Sequence, residues 1–175
     1  MKLTPEALKA KANRLHLARQ DMVEAGDYAL SLEFFVSAKY QEWDLFGAEN
    51  AIFIAVIVVY ARPFVNSFSN GQADPKVVPE DLKLFDGENE LEILHRRVID
   101  LRNSALAHSD WTQHPTKLIT DDKQYGLRRE HSRPDYMEGI DLAQLRRLIE
   151  HVELAMRGLA YDLDVYYQAE VERHT

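Results

Sequence analysis

One uninterrupted apolar run, Ala51 to Ala61, limits the architectures open to this chain more than any other feature. Its eleven residues fall well short of the about 20 that a membrane-spanning helix needs. Ile52, Ile54, Val56, Ile57, Val58 and Val59 are β-branched and would suit a strand as well as a helix. Length decides for a helix, because an apolar strand this long needs long partner strands and no comparable run exists elsewhere. A helix that is apolar on every side belongs at the centre of a fold. Pro63 disfavours helical geometry at Arg62 and places the end there.

The other periodic segments supply what packs around it. Thr4 suits the N-cap and Pro5 the first helical position, after which Leu8, Ala12, Leu15, Ala18, Met22 and Ala25 recur every three or four residues. Gly26 is expected to end that helix and Asp27 to cap the next, with Leu30, Phe34, Ala38 and Leu45 on its apolar face, giving an antiparallel pair. Residues 65–88, with Asn70-Gly71, Pro75, Pro79 and Asp86-Gly87, read as a long turn-rich connection with a short helix over Pro79 to Phe85. Leu91, Leu94, Val98, Leu101 and Ala105 mark an amphipathic helix, and Lys117 to Thr120 with Tyr125 to Arg129 a small hairpin. Asp141 caps the last helix, where Leu142, Leu145, Ile149, Val152, Met156, Leu159, Leu163 and Tyr166 repeat without a break. At about 32 residues, roughly 48 Å, it exceeds what a small bundle covers, so part of it is expected to face another chain.

The expectation is an all-α, antiparallel bundle of four to five long helices, at about 5–25, 28–46, 48–62, 89–108 and 141–172. At most a small hairpin is expected near 117–129, and the whole of residues 1–175 reads as one domain. The 46% of hydrophobic residues is enough for one ordinary core. The absence of Cys excludes a disulfide framework, a thiolate nucleophile and Cys-ligated metal centres. Met1-Lys2-Leu3-Thr4-Pro5 leads straight into an amphipathic pattern without a secretory signal, so a cytoplasmic location and no membrane association are expected.

Charge narrows the function classes. Twenty-one Lys and Arg against 29 Asp and Glu give a net charge of −8, which argues against broad coating of DNA but leaves room for one local cationic cleft. Leu127-Arg128-Arg129-Glu130-His131-Ser132-Arg133 is basic, and a solvated loop is its first reading. A phosphate-binding loop, a dinucleotide glycine fingerprint, a nucleophile elbow, a paired-His zinc motif and a calcium loop are all missing, so no cofactor is expected.

What remains is concentrated at the end of the fourth periodic segment. Arg102-Asn103-x-x-x-x-His108, following an amphipathic helix within an all-helical chain, resembles the motif of the HEPN (higher eukaryotes and prokaryotes nucleotide-binding) superfamily. The resemblance is specific at those three positions and extends to the helical layout of most of the chain. It implies an HEPN-like fold, metal-independent endoribonuclease activity on an RNA substrate with a toxin, defence or stress role, a homodimer, and a protein antitoxin or regulator as a further partner. One branch carries Tyr two residues beyond the His; position 110 here is Asp, so tyrosine nucleotidylation is not implied. The alternative is a non-catalytic helical module that binds a protein or a nucleotide.

The chemistry stands on its own terms. Metal-free RNA cleavage needs a proton taken from the 2′-hydroxyl, charge stabilised on the phosphorane and a proton given to the leaving oxygen. His108 titrates near neutrality and Arg102 offers a planar fork for phosphate oxygens. Asn103 is read as orienting the His or binding phosphate, and Ser104, four residues before His108, as contacting it along one helix face. Six residues place Arg102 and His108 roughly 120° apart on a regular helix, so either the helix end is distorted or two chains combine their copies.

Blander readings compete. His108 in a last helical turn favours the macrodipole whatever its chemistry, and Arg102 is also a candidate surface ion-pair partner. His108, Asp110 and His114 are a weak metal-ligand set, more often solvated. Tyr161, Tyr166, Tyr167, Phe34, Phe35 and Trp43 fall at helical spacings that suit core or interface packing over base stacking. Glu49, Asn50, Tyr60 and Arg62 flank the most apolar helix and read as a structural network.

Overall fold

The computed structural model describes residues 4–37, 45–65, 67–69, 72–74, 76–103, 117–119, 128–130, 137 and 139–174. Among them are four α-helices: α1 (Pro5–Ser37), α2 (Leu45–Ala61), α3 (Asn89–Leu101) and α4 (Leu142–His174). Two antiparallel hairpins of three-residue strands accompany the helices. The first pairs β1 (Ser67–Ser69) with β2 (Gln72–Asp74), and the second β3 (Lys117–Ile119) with β4 (Arg128–Glu130). The second hairpin lies where the sequence placed one. The first was read only as a turn, although the two residues between Ser69 and Gln72 are Asn-Gly, the pair most suited to a two-residue hairpin connection.

α1 begins as its sequence directs: the Ala7 amide donates to Thr4 Oγ1 at 3.3 Å, and Pro5 is the first helical residue. It does not end at Gly26. The expected break and the separate helix over 28–46 are corrected by one continuous helix of 33 residues. Met22, Ala25, Ala29 and Leu32 are all buried, so the apolar stripe passes straight through the glycine. Gly in a helix costs roughly 1 kcal/mol relative to Ala, whereas burying Met22 and Leu32 is worth about 1.5–3 kcal/mol each. Packing therefore outweighs the local preference. The stripe also sits elsewhere than expected: Leu30 and Phe34 are exposed, and Ala29 and Leu32 take their place in the core. Ala38 and Trp43 lie outside the described residues.

α4 runs antiparallel to α1 and shares with it the largest helix–helix interface. Asp141 caps it, accepting from the amides of Ala143 at 2.8 Å and Gln144 at 3.3 Å. Leu145, Leu148, Ile149, Val152, Met156 and Ala160 line its buried face. Polar contacts follow the register along the pair, from the ion pairs Arg146–Glu33 at 3.0 Å and Arg19–Glu153 at 2.7 Å to a hydrogen bond between His16 and Asp164 at 2.8 Å. Farther along, Tyr161, Val165 and Tyr166 are exposed, so in this chain Tyr161 and Phe34 are surface residues and not core.

α2 confirms the reading of the apolar run as a helix, with Phe53, Val56, Ile57, Val59, Tyr60 and Ala61 buried. It gives way at Arg62 to a 3₁₀ turn through Pro63 and Phe64, within a residue of the expected end. The short helix expected over Pro79 to Phe85 is absent. Successive turns take its place, because Lys83 adopts a left-handed backbone with φ 52°, which no α-helix contains. No described helix is long and apolar enough to cross a membrane.

Candidate functional site

α3 is short, and its amphipathic spacing decides what it presents. Leu91, Leu94, His95 and Val98 face the core, and Arg96 and Arg97 face outward. The 137–140 segment, which leads into α4, is tied to this helix by Arg97 Nη1, which donates to the Gly139 carbonyl at 2.8 Å. Gly139 itself holds φ 73°, and a Cβ there would lie 2.7 Å from Arg97 Nη2.

At its C-terminal end the helix widens into a π turn at Arg102 and Asn103. The Arg102 amide is shared between the carbonyls of Val98 and Ile99, the bifurcated pattern of a helix terminus. Arg102 is half-buried and Asn103 exposed. Their side chains meet: Arg102 Nη1 donates to Asn103 Oδ1 at 3.0 Å. No carboxylate pairs with Arg102 among the described residues, so the ion-pair reading finds no partner there. The structure thus brings together two of the four site residues read from sequence. Ser104 and His108 lie outside the described residues, as do Asp110 and His114 of the weak metal set. Among the described residues no group of three His, Cys, Asp or Glu could hold a metal ion.

About two turns back from that terminus lies a group the motif reading passed over. His95 is buried, and its Nδ1 lies 2.7 Å from the Tyr60 hydroxyl, which α2 supplies. Phe64 stands edge-on to the imidazole at a centroid distance of 4.7 Å, and Phe85 is tilted against it at 4.9 Å. Burial in this aromatic surround pushes the His95 pKa down to about 4, against the pull of the Glu80 carboxylate. Burial also pushes the Tyr60 phenol well above its ordinary value. Both groups are therefore neutral at pH 7. The phenol O–H donates to Nδ1, and the proton of the imidazole sits on Nε2, a tautomer assigned from this pairing. The signal was present in sequence: His95 is four residues after Leu91 and three before Val98, on the apolar face.

The network expected around the apolar helix is present in part. Tyr60 belongs to it through His95, and Arg62 reaches α1, with Asp21 at 3.4 Å and Glu24 at 3.1 Å. Burial lifts the Asp21 carboxyl above its usual range despite Arg62. Glu49 and Asn50 are half-buried, and Asn50 Oδ1 is enclosed without a hydrogen-bond partner among the described residues.

A cavity of about 400 Å³ opens beside α3, between Glu92, His95 and Arg96 on the helix and the turn segment around Val77, Lys83 and Phe85. Its outer wall is anchored at several points. The Val77 amide donates to the Pro63 carbonyl at 2.7 Å, His151 Nε2 lies 2.6 Å from the Leu84 carbonyl, and Arg147 pairs with Glu88 at 3.0 Å. Phe85 is held between His95 and the stacked ring of His151.

The chain matches no protein-family model, no curated protein and no solved structure.

Proposed function

We propose that this chain is an HEPN-like, metal-independent endoribonuclease in which Arg102 stabilises the phosphorane and His108 handles the proton. The observation that carries the reading is the end of α3. Arg102 and Asn103 stand together on a widened helix terminus, and the guanidinium is held by an amide side chain with no carboxylate pairing with it among the described residues. π turns within helices gather at functional positions, and a guanidinium offers a planar, permanently charged fork for phosphate oxygens. The helical surround agrees with the fold that the resemblance implies. Leu30, Phe34, Leu154 and Tyr161, all exposed on α1 and α4, offer apolar surface to a second copy, in keeping with a homodimer. A toxin, defence or stress role, with a protein antitoxin or regulator, and a cytoplasmic location belong to the same proposal.

The test is cleavage of a panel of structured and single-stranded RNAs by the purified chain, with and without chelator. Activity is expected in both conditions, with 2′,3′-cyclic phosphate ends, and DNA of the same sequence is expected to resist. Arg102→Ala and His108→Ala should each lower the rate by about 10²-fold or more, the scale of a lost acid–base or charge-stabilising group, while helicity is kept. Asn103→Ala should do less harm. Inactivity across the panel overturns the proposal in favour of a binding module, and loss of activity on chelation overturns its metal-independent mechanism.

A further inference from the structure

The cavity beside α3 carries both signs of charge above an aromatic floor, and that combination specifies a ligand. Phe64, Phe85 and the neutral His95 ring form the floor. His95 is only 7% exposed, and with Nδ1 taken by Tyr60 its one remaining polar group is the Nε2–H, which has no partner among the described residues. A buried donor left unpaired is costly, so a ligand that brings an acceptor to the floor is favoured. At about 400 Å³ the space falls within the roughly 300–1,000 Å³ of small-molecule sites, and its wall is anchored to His151 of α4 and to the Pro63 carbonyl without a ligand's help.

The charges on its lining sort into pairs. Four carboxylates, Glu80, Asp86, Glu92 and Asp100, stand with three cations, Lys76, Lys83 and Arg96. Glu92 and Arg96 pair with each other along α3, and Asp100 has a partner of its own. That leaves two carboxylates, Glu80 and Asp86, and two ammonium groups, Lys76 and Lys83, none of them ion-paired among the described residues. Three of the four alternate in sign along one run of turns, where the Lys83 amide donates to the Glu80 carbonyl at 3.2 Å and the Asp86 amide to the Lys83 carbonyl at 3.3 Å. Lys83, at the centre of that run, holds φ 52°, a backbone that glycine would adopt without strain, so its side chain is kept there at a cost. Opposite charges gathered in one short wall suit a ligand that carries both signs close together.

We infer that this cavity binds a free aromatic α-amino acid, tyrosine in preference to phenylalanine, with its ammonium on Glu80 and Asp86, its carboxylate on Lys83 and Lys76, and its ring on the Phe64, Phe85 and His95 floor. The two charged groups of such a ligand share one α-carbon, as the alternating wall requires, and each meets the opposite sign. The ring packs on aromatic side chains, and the tyrosine hydroxyl oxygen accepts from His95 Nε2–H. A lone anion would be opposed by the carboxylates and a lone cation by the lysines. An apolar molecule would strip water from four charged groups without replacing it. The inference does not rest on the Arg102 reading, since it uses none of those residues.

Calorimetric titration of the full chain with L-tyrosine tests it. Submillimolar binding is expected, about tenfold weaker for L-phenylalanine, which leaves Nε2–H unpaired. N-acetyl-L-tyrosine lacks the ammonium and L-tyrosinamide the carboxylate, and each should bind about tenfold more weakly, as loss of a charge-assisted contact predicts. Two substitutions of exposed residues then assign the charges. Glu80→Gln should weaken tyrosine about tenfold and leave the N-acetyl form unaffected. Lys83→Ala should weaken tyrosine by the same factor and leave the amide unaffected. Side chains that served only the fold would weaken all three ligands alike. The capped forms also stand for the ends of a peptide, tyrosinamide for an N-terminal residue and N-acetyltyrosine for a C-terminal one. No binding of tyrosine, a capped form that binds as tightly as the free amino acid, or variants that weaken all three ligands alike overturns the inference.

Discussion

The middle of α1 and the end of α3 meet local chemistry in opposite ways. α1 continues through Gly26-Asp27, a pair that ordinarily closes one helix and opens another. α3 widens at Arg102-Asn103, neither of which forbids a helix. The difference lies in what surrounds each. Around Gly26, buried Met22, Ala25, Ala29 and Leu32 face an equally buried stripe on α4, and Ile149 Cγ2 comes to 3.8 Å of where a Cβ would stand. At Arg102 the last fully buried α3 residue, Val98, is already a turn behind. A helix persists where burial outweighs the local cost, as α1 does through Gly26.

The comparison breaks most visibly at Leu32. Leu32→Ala should destabilise the fold by about 2–5 kcal/mol in urea unfolding, the cost of emptying a fully buried site. A loss below 1 kcal/mol would mean that the part of α1 beyond Gly26 is not held by the core.

α3 is seated by the buried His95–Tyr60 pair, and this makes stability depend on pH. The folded-state pKa of His95 is lowered from 6.5 to about 4, so the unfolded chain binds the extra proton first. The contribution is complete above about pH 6.5 and is lost as pH falls toward 4, on the order of 3 kcal/mol at its fullest. Denaturant midpoints measured across that window should fall with acid. A slope that persists unchanged in His95→Gln would assign the effect to other groups.

Gly139→Ala should cost about 1–2 kcal/mol. It forces an L side chain into φ 73° and displaces Arg97 from the bond that ties α3 to the start of α4. Thermal unfolding reads this directly. The smallest effect carries the opposite sign. Gly26→Ala should stabilise by about 0.5–1 kcal/mol, because the new methyl meets Ile149 at an ordinary contact distance and alanine favours the helix. Had the chain turned at Gly26 in a left-handed conformation, the same change would destabilise it.

Much of the fold was legible because the same residues carried both the local and the long-range signal. Thr4 and Asp141 are caps and stand before apolar stripes, and Pro63 ends a helix on either argument. The continuity of α1 was not legible, because Gly26 is judged by its neighbours in sequence while its partner, Ile149, is more than a hundred residues away. At the site, the chemistry of Arg102 and Asn103 was readable from residue type, but their contact and the loosened turn beneath them were not.

By itself the sequence determined the helical class, the helical state of the apolar run and the caps, since these depend on periodicity, length and side chains within three or four positions. Only the tertiary structure decided that His95 is neutral. An imidazole near pH 7 takes its charge from the dielectric around it, and Tyr60, Phe64 and Phe85 come from three other segments of the chain.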